Sequence, residues 1–186
     1  MRIIAGRFRG LRLPAPKGSA VRPTAERVRE AVFSMLGTAV AHARVLDLFA
    51  GSGSFGLEAL SRGAASVVFV DKDPKVTEQL TRTVAAFGAI DGVSVFTMDS
   101  FLAVRVFLRR GWKFEIVFVD PPYGNQLISR VFSLREFPGL FALDGIVVTE
   151  RETRGSEELV AASFRRVSSR KYGDTLIDMF RYEESR

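Results

Sequence analysis

The sequence predicts an α/β fold in which helices cover both faces of a mostly parallel sheet. From residue 44 onward, short runs rich in Val, Ile and Phe alternate with segments of helical length. The runs are apolar at successive positions, which indicates strands that are buried on both faces. A glycine-rich turn follows the first run, as is typical of the strand-to-helix junctions in such folds.

The predicted elements of the sheet follow one another in a regular order. The strands are expected at residues 44–49, 66–70, 93–98, 114–119 and 143–149, with helices between them at about 55–61, 74–87 and 100–109. Two further strands are expected at 164–167 and 175–182, joined by a turn at Gly173-Asp174.

The region ahead of the first strand has a different pattern. Residues 2–13 alternate loosely between arginines and apolar side chains, which indicates a small β-hairpin with a basic face. After a proline- and glycine-containing linker, the spacing of Val28, Val32 and Leu36 predicts an amphipathic helix. Thr24 is its expected N-cap and Gly37 its expected end.

Length and composition predict one domain spanning residues 1–186, with the basic hairpin and helix at about 1–37. Fractions of 47% hydrophobic and 26% charged residues are ordinary for a globular protein. No apolar run reaches the length of a bilayer span and no secretory signal is recognisable, so a cytoplasmic protein without a membrane partner is expected. The chain has no cysteine and a single histidine, His42, so no metal site is expected.

The net charge of +6 is concentrated at the N-terminus. Residues 1–30 contain eight basic and two acidic side chains, whereas the rest of the chain contains 19 of each kind. A basic patch on a neutral body is typical of proteins that bind nucleic-acid phosphates, although a solvated surface would have the same composition. The residues expected to bind RNA phosphates are Arg2, Arg7, Arg9, Arg12, Arg22, Arg27 and Arg29.

The glycine-rich turn is a candidate cofactor site. Gly51, Gly53 and Gly56 form a Gly-x-Gly-x-x-Gly pattern, in which glycines let the backbone approach a ligand and a helix N-terminus offers unpaired N–H groups. The pattern also matches dinucleotide-binding folds. However, the carboxylate of Asp47, just ahead of the glycines, would repel a pyrophosphate. It suits a ligand with an ammonium group, such as the methionine end of S-adenosylmethionine, which favours this cofactor over a nicotinamide dinucleotide.

Acidic residues also follow the second and third predicted strands. Asp71 ends the second strand, where a carboxylate can accept hydrogen bonds from both hydroxyls of a ribose. Asp99 follows the third strand, where it could bind the amino group of adenine, although Asp99-Ser100 could equally serve only to start a helix.

The sequence Asp120-Pro121-Pro122-Tyr123 after the fourth strand indicates the chemistry. An exocyclic amino group of a base is a poor nucleophile, and positive charge develops on its nitrogen as a methyl group arrives. Acceptors aimed at its hydrogens hold it in line and stabilise that charge. Asp120 supplies one acceptor, the prolines fix the backbone so that the Pro121 carbonyl supplies another, and Tyr123 offers a face on which an extruded base stacks.

These motifs together resemble class I S-adenosylmethionine-dependent methyltransferases that modify amino groups. The N-terminal pattern is more specific: Arg2-Ile3-Ile4-Ala5-Gly6, Arg22-Pro23-Thr24 and Arg27-Val28-Arg29-Glu30 resemble the bacterial RsmD family. The resemblance spans essentially the whole chain. It implies a Rossmann-like, seven-stranded, mostly parallel sheet with the last strand antiparallel, preceded by a β-hairpin extension. Family members often have phenylalanine where this chain has Tyr123.

The resemblance also implies a reaction: methylation of guanine N2 in 16S ribosomal RNA, of the guanine-966 type. The expected partner is ribosomal RNA or a small-subunit assembly particle, and the expected oligomeric state is a monomer. The expected catalytic residues are Asp120, Pro121, Pro122 and Tyr123. The residues expected to bind S-adenosylmethionine are Asp47, Phe49, Gly51, Ser52, Gly53, Asp71, Lys72, Asp99 and Ser100.

Three other classes remain open on the sequence, and one of them is a nicotinamide-dependent oxidoreductase that would use the glycine pattern to bind its dinucleotide. An N6-adenine or N4-cytosine DNA methyltransferase would use the same Asp-Pro-Pro-Tyr motif, although the chain has no room for a separate target-recognition domain. A non-catalytic RNA-binding protein would retain the nucleotide-like pocket but would not depend on Asp120.

Overall fold

The computed structural model describes residues 1–14, 23–122, 126–153 and 162–184, with the side chains of residues 23–25 left out of the description. The α-helices are α1 (Pro23–Leu36), α2 (Ser54–Ser61), α3 (Pro74–Ala86), α4 (Ser100–Arg109) and α5 (Leu127–Phe132). The strands are β1 (Arg44–Asp47), β2 (Ser66–Asp71), β3 (Val93–Thr97), β4 (Phe114–Val119), β5 (Phe141–Glu152), β6 (Phe164–Tyr172) and β7 (Thr175–Tyr182). Short 3-10 helices at Gly37–Val40 and Pro138–Leu140 precede β1 and β5.

The seven strands form one sheet in the order β3-β2-β1-β4-β5-β7-β6. The neighbours from β3 across to β5 pair in parallel, and β7 pairs antiparallel with both β5 and β6. Only β7 therefore runs against the others, which confirms the predicted seven-stranded, mostly parallel sheet. The strand order reverses between β1 and β4, and ligands of such sheets bind in the crevice outside the carboxyl ends of the strands at that point.

Two hydrophobic layers cover the sheet, as expected for strands buried on both faces. On the first face, apolar side chains of α1, α2 and α3 pack against Val45, Phe69 and Phe118. On the second face, α4 and α5 pack against Leu46 and Val117. Consecutive residues of β1 thus face opposite layers, which explains why the predicted strands are continuous apolar runs. None of the helices in the described ranges is both long and apolar enough to cross a membrane.

Strands β5 and β6 extend well beyond the prediction, whereas β1, β2 and β3 differ from it by one or two residues at their C-terminal ends. Residues 143–149 were expected, but β5 extends over Phe141–Glu152, because residues 142–145 bulge opposite a single residue of β4 and interrupt the apolar pattern. Asp144 in this bulge has a φ of 59°. Residues 164–167 were expected, but β6 continues to Tyr172. This strand lies at the edge of the sheet and pairs only with β7, so its polar side chains remain in solvent.

The N-terminal segment, residues 1–14, is less regular than the predicted hairpin. Its strand pairing is reduced to a single antiparallel bridge between Arg2 and Arg12, with turns between them. Ile3, Phe8 and Leu13 are buried in the first hydrophobic layer, so the segment is packed onto the domain rather than extended from it. The following helix α1 begins at Pro23, one residue before the expected N-cap Thr24.

Candidate active site

Four carboxylates lie on one face of the sheet where adjacent strands end. Asp47 of β1 is in register with Phe69 of β2 and Phe118 of β4, which both face the first hydrophobic layer. Side chains two residues apart on a strand share a face. Asp71 and Asp120, each two residues after one of these phenylalanines, therefore lie on the same face, one step nearer to the carboxyl edge.

The fourth carboxylate, Glu150, comes from β5. Val119 of β4 is in register with Thr149 of β5, so Glu150 lies beside Asp120 at the next position. On its other side, Glu150 is in register with Ile177 of β7, which is buried in the first layer. The prediction from sequence missed Glu150. The signal was present, because Glu150 directly follows the predicted strand 143–149, as Asp71 and Asp120 follow theirs.

The glycine turn is held in place by two of these carboxylates. The N–H of Gly51 donates to Asp71 Oδ2 at 2.9 Å, and the N–H of Gly56 in α2 donates to Asp47 Oδ2 at 3.0 Å. Gly51 and Gly53 have φ values of 50° and 74°, in the left-handed region that other residues rarely adopt. The structure thus brings together the predicted residues Asp47, Asp71 and the glycines in one connected turn.

The carboxylates at this edge are electrostatically coupled. Burial raises the pKa of Asp47 to about 7, and the charge of Asp71 adds to this, while the hydrogen bond from Gly56 opposes it. Burial also raises the pKa of the half-buried Asp120 well above its usual value, with the negative charges of Glu150 and Asp47 acting in the same direction. Such a site disfavours an anionic ligand and favours groups that donate hydrogen bonds or carry positive charge.

The predicted adenine-binding residues also lie at this edge. Asp99 follows β3, and the N–H of Met98 donates to the Asp71 carbonyl, which brings the ends of β2 and β3 together. One oxygen of Asp99 accepts from the N–H groups of Phe101 and Leu102, so this residue is the N-cap of α4. Ser100 is buried and its hydroxyl donates to the Leu48 carbonyl, which fixes α4 against β1.

The remaining predicted site residues differ in exposure. Phe49 and Ser52 are half-buried at the glycine turn, whereas Lys72 is exposed. After β4, Pro121 is buried and Pro122 is exposed. Tyr123 lies outside the described residues.

The N-terminal arginines form two groups. Arg2, Arg7, Arg9, Arg12 and Arg27 are exposed, and Arg22 lies outside the described residues. Arg29, in contrast, is only 1% exposed, and the expectation that it binds RNA phosphate is wrong. Its guanidinium donates to the Arg2 carbonyl and forms an ion pair with Glu58 of α2. Burial lowers the pKa of Arg29, while the charge of Glu58 opposes this shift.

Glu58 is a second residue that the sequence prediction missed. Its side chain is fully buried and accepts from the N–H groups of Ile4 at 2.8 Å and Ala5 at 3.0 Å. It also forms ion pairs with Arg29 and Arg62. A single carboxylate therefore joins the N-terminal segment, α1 and α2. The i, i+4 spacing of Glu58 to Arg62 is typical of a helix surface, and its other partners, Arg29, Ile4 and Ala5, are distant in the sequence.

The fold and the site define a class I S-adenosylmethionine-dependent methyltransferase. The family model described as "Conserved hypothetical protein 95" matches residues 1–181. Over 165 residues the chain is 38% identical to "Ribosomal RNA small subunit methyltransferase D" of Escherichia coli K12, covering 88% of this chain and 81% of that protein. The chain belongs to the ribosomal RNA small subunit methyltransferase D family.

Solved structures support the same assignment of the fold. The structure of yhhF from Escherichia coli is 33% identical, with a TM-score of 0.82 over 100% of this chain and 99% of that chain. The structure of SMU.776, which was solved as a complex with SAH, is 14% identical with a TM-score of 0.70, and the match covers 87% of this chain and 50% of that one. The second likeness shows the shared fold alone.

Proposed function

We propose that this protein transfers the methyl group of S-adenosylmethionine to the exocyclic N2 of a guanine in 16S ribosomal RNA, of the guanine-966 type. The observation that carries the proposal is the position of Asp120. Its carboxylate follows β4, next to the switch in strand order, on the same sheet face as Asp47 and Asp71. A carboxylate at this position can accept a hydrogen bond from an amino group that lies directly beside the glycine turn.

The residues of the glycine turn fit S-adenosylmethionine. When bound, this cofactor supplies a methyl group on a positively charged sulfur. Asp47 is buried beneath the turn and linked to Gly56, so its negative charge acts on the cofactor's ammonium group through the turn. Asp71 is half-buried beside Gly51 and is proposed to accept from ribose hydroxyls, and the second oxygen of Asp99 from the adenine amino group. The other proposed cofactor residues are Phe49, Ser52, Gly53 and Lys72. Ser100 supports the site indirectly, because its hydroxyl donates to the Leu48 carbonyl.

Asp120 and the Pro121 carbonyl are proposed to accept hydrogen bonds from the target amino group. Two acceptors direct the nitrogen lone pair towards the methyl group and stabilise the positive charge that develops on nitrogen. Pro122 fixes its own φ and restricts the backbone of Pro121 before it. Stacking of the base on Tyr123 would contribute about 1–3 kcal/mol. The N–C bond forms as the S–C bond breaks, and the nitrogen then loses a proton. The raised pKa of Asp120 makes its carboxylate a suitable acceptor for that proton.

The exposed arginines of the N-terminus are proposed to bind phosphates around the target base. Arg2, Arg7, Arg9, Arg12 and Arg27 carry positive charge on the surface, and Arg22 belongs to the same proposed set. The partner is ribosomal RNA or a small-subunit assembly particle, the protein is proposed to act as a cytoplasmic monomer, and residues 1–186 are proposed to form a single methyltransferase domain. Binding through arginines predicts an affinity for RNA that falls steeply as salt rises.

The decisive experiment combines Asp120→Ala with a transfer assay. Small-subunit particles, free 16S RNA and duplex DNA are offered with labelled S-adenosylmethionine, and the digested product is analysed by mass spectrometry for N2-methylguanine. Asp120→Ala is expected to lower kcat by about 10²–10³-fold while cofactor affinity is largely retained. Asp91→Ala, at an exposed aspartate in a loop, is the matched control and should leave kcat unchanged.

Other outcomes would contradict the proposal. Methylation of adenine N6 or cytosine N4 in duplex DNA would indicate a DNA methyltransferase. Full function of Asp120→Ala in cells would indicate an RNA-binding protein that does not catalyse. N2-methylguanine that persists at the target guanine of 16S RNA in a strain lacking this protein would assign that modification to another enzyme.

A further inference from the structure

Of the four carboxylates Asp47, Asp71, Asp120 and Glu150, the last is the one to which the proposed reaction gives no role. It lies beside Asp120 in the register of β4 and β5, on the sheet face shared with Asp47 and Asp71. Its side chain is partly exposed, so a ligand can reach it. Besides burial, the negative charge of Glu150 raises the pKa of Asp120, as expected for neighbouring carboxylates.

The position of Glu150 relative to the cofactor residues is informative. Asp47, Asp71 and the glycine turn lie at β1 and β2, on one side of Asp120. Glu150 lies at β5, on the other side. Neighbouring strands are about 4.8 Å apart, so the side chains of two adjacent strand ends can converge on neighbouring groups of one base edge. A base whose amino group is held at Asp120, with the cofactor at β1 and β2, therefore extends over β5.

The chemistry of the base edge then distinguishes the possible substrates. In guanine, the ring nitrogen N1 next to the amino group carries a hydrogen and is a donor. In adenine and cytosine, the ring nitrogens next to the amino group carry lone pairs and are acceptors. An ionised carboxylate can accept hydrogen bonds but has no hydrogen to donate. It therefore attracts the N1–H of guanine and repels the corresponding nitrogen of the other two bases.

We infer that Glu150 accepts the N1–H of the target guanine beside Asp120 and so selects guanine over other bases with an exocyclic amine. This inference rests on the proposed function, because it assigns a specificity role within the same site. Enzymes that act on extruded bases read them through hydrogen bonds to this edge. A pair of hydrogen bonds from neighbouring acceptors to one base edge discriminates by about 10- to 100-fold.

The test uses 2-aminopurine, which keeps the amino group at C2 but has an unprotonated N1. Reconstituted small-subunit particles carry either guanine or 2-aminopurine at the target position, and kcat/KM is measured for both. Wild type is expected to prefer guanine by about 10- to 100-fold. Glu150→Gln should bring this preference to within a few-fold, since the amide can rotate to donate to the unprotonated N1. Glu150→Ala should lose activity on guanine but little on 2-aminopurine.

Glu152→Gln is the matched control. Glu152 lies two residues further along β5, on the same face, and is exposed. Its substitution should keep the wild-type preference. Cofactor titration and thermal unfolding of each variant check that the site is intact.

The outcomes separate the inference from the proposed function. A wild type that does not methylate guanine N2 would overturn both. A wild type that methylates guanine, with a preference that is unchanged in Glu150→Gln, would overturn the role of Glu150 alone. Equal loss of activity on both bases in a folded, cofactor-binding Glu150→Gln protein would also overturn it, because the residue would then act on every substrate alike.

Discussion

The carboxyl edge of the sheet and the N-terminal segment are built in opposite ways. At the edge, Asp47, Asp71, Asp120 and Glu150 come from four neighbouring strands and are juxtaposed by sheet register. In the N-terminal segment, exposed arginines surround a backbone that is tied down by one buried carboxylate, Glu58. The edge is thus an acidic surface whose carboxylates come together because each lies at or near the carboxyl end of a neighbouring strand. The segment is a basic surface fixed by contacts between residues more than 50 positions apart.

The largest expected effect is the loss of stability when Glu58, the buried carboxylate that holds the N-terminal segment, is removed. Glu58→Ala would leave the charge of Arg29 unpaired in the interior and the N–H groups of Ile4 and Ala5 without their acceptor. Breaking one partner of a buried ion pair costs about 3–5 kcal/mol, so we expect the free energy of unfolding to fall by that amount in urea denaturation.

The control for this prediction is an exposed ion pair with the same kind of residues. Glu78 and Arg82 form an i, i+4 pair on α3, with side chains 64% and 70% exposed. Glu78→Ala should cost less than about 0.5 kcal/mol. Equal effects of the two substitutions would mean that Glu58 does not hold the segment.

This contrast explains which parts of the molecule were predictable from sequence. Strand β4, helix α4 and strand β7 have the predicted bounds. Strand β4 is rich in Val, Ile and Phe, Asp99 caps the start of α4, and the turn at Gly173-Asp174 precedes β7. The predicted acids Asp47, Asp71 and Asp120 come together because each ends a parallel strand, and parallel strands end at one edge. The N-terminal motif predicted the family correctly, since the chain belongs to the ribosomal RNA small subunit methyltransferase D family.

The rest could not be read from local pattern. The bulge at residues 142–145 hid the N-terminal end of β5. The charged residues Glu150-Arg151-Glu152 hid its C-terminal end, although the position of Glu150 directly after the predicted strand was a usable signal. The N-terminal motif contains several arginines of similar appearance, and only the tertiary contact with Glu58 separates the buried Arg29 from the exposed ones. Burial of a charged side chain depends on a distant partner, which periodicity does not reveal.

A second prediction concerns pH and the buried Asp47. Its pKa is about 7 in the folded protein against 3.8 for an ordinary aspartate. Between these pH values the folded protein holds a proton that the unfolded chain has released, so stability falls as pH rises through this window. Asp47→Asn should remove that part of the pH dependence and stabilise the cofactor-free protein above pH 7 by on the order of 2–4 kcal/mol.

The same group should link pH to cofactor affinity. In wild type, affinity for S-adenosylmethionine is expected to rise as Asp47 ionises near pH 7, because its charge then attracts the ammonium group. Asp47→Asn should bind more weakly at pH 8 and match wild type near pH 5.5. Titration calorimetry at both values measures this. Identical pH profiles of the two proteins would exclude Asp47 as the titrating group.

A third prediction separates two glycines of the cofactor turn. A Cβ at Gly56 would lie 2.2 Å from Cε1 of the buried Phe69, whereas a Cβ at Gly51 would meet nothing within 4 Å. Gly56→Ala should therefore destabilise the fold by about 1–3 kcal/mol through overpacking. Gly51→Ala should cost about 1 kcal/mol for its left-handed φ, but lower cofactor affinity more, because its side chain enters the proposed site. Thermal unfolding and cofactor titration, applied to both variants, give the comparison; a larger stability loss for Gly51→Ala would contradict it.

The smallest expected effect concerns the exposed arginines of the N-terminal segment and the salt dependence of RNA binding. Each phosphate contact contributes about 0.7–0.9 to the slope of log affinity against log salt. The double variant Arg9→Ala/Arg12→Ala should reduce this slope for 16S RNA by up to about 1.6, and raise KM while kcat is kept. Arg82→Ala, which removes an exposed arginine from α3, should leave the slope unchanged. If both variants keep the wild-type slope, the N-terminal arginines do not contact phosphates. If both variants reduce the slope equally, the affinity for RNA depends on the total charge of the protein. The N-terminal arginines would then have no special role in binding the substrate.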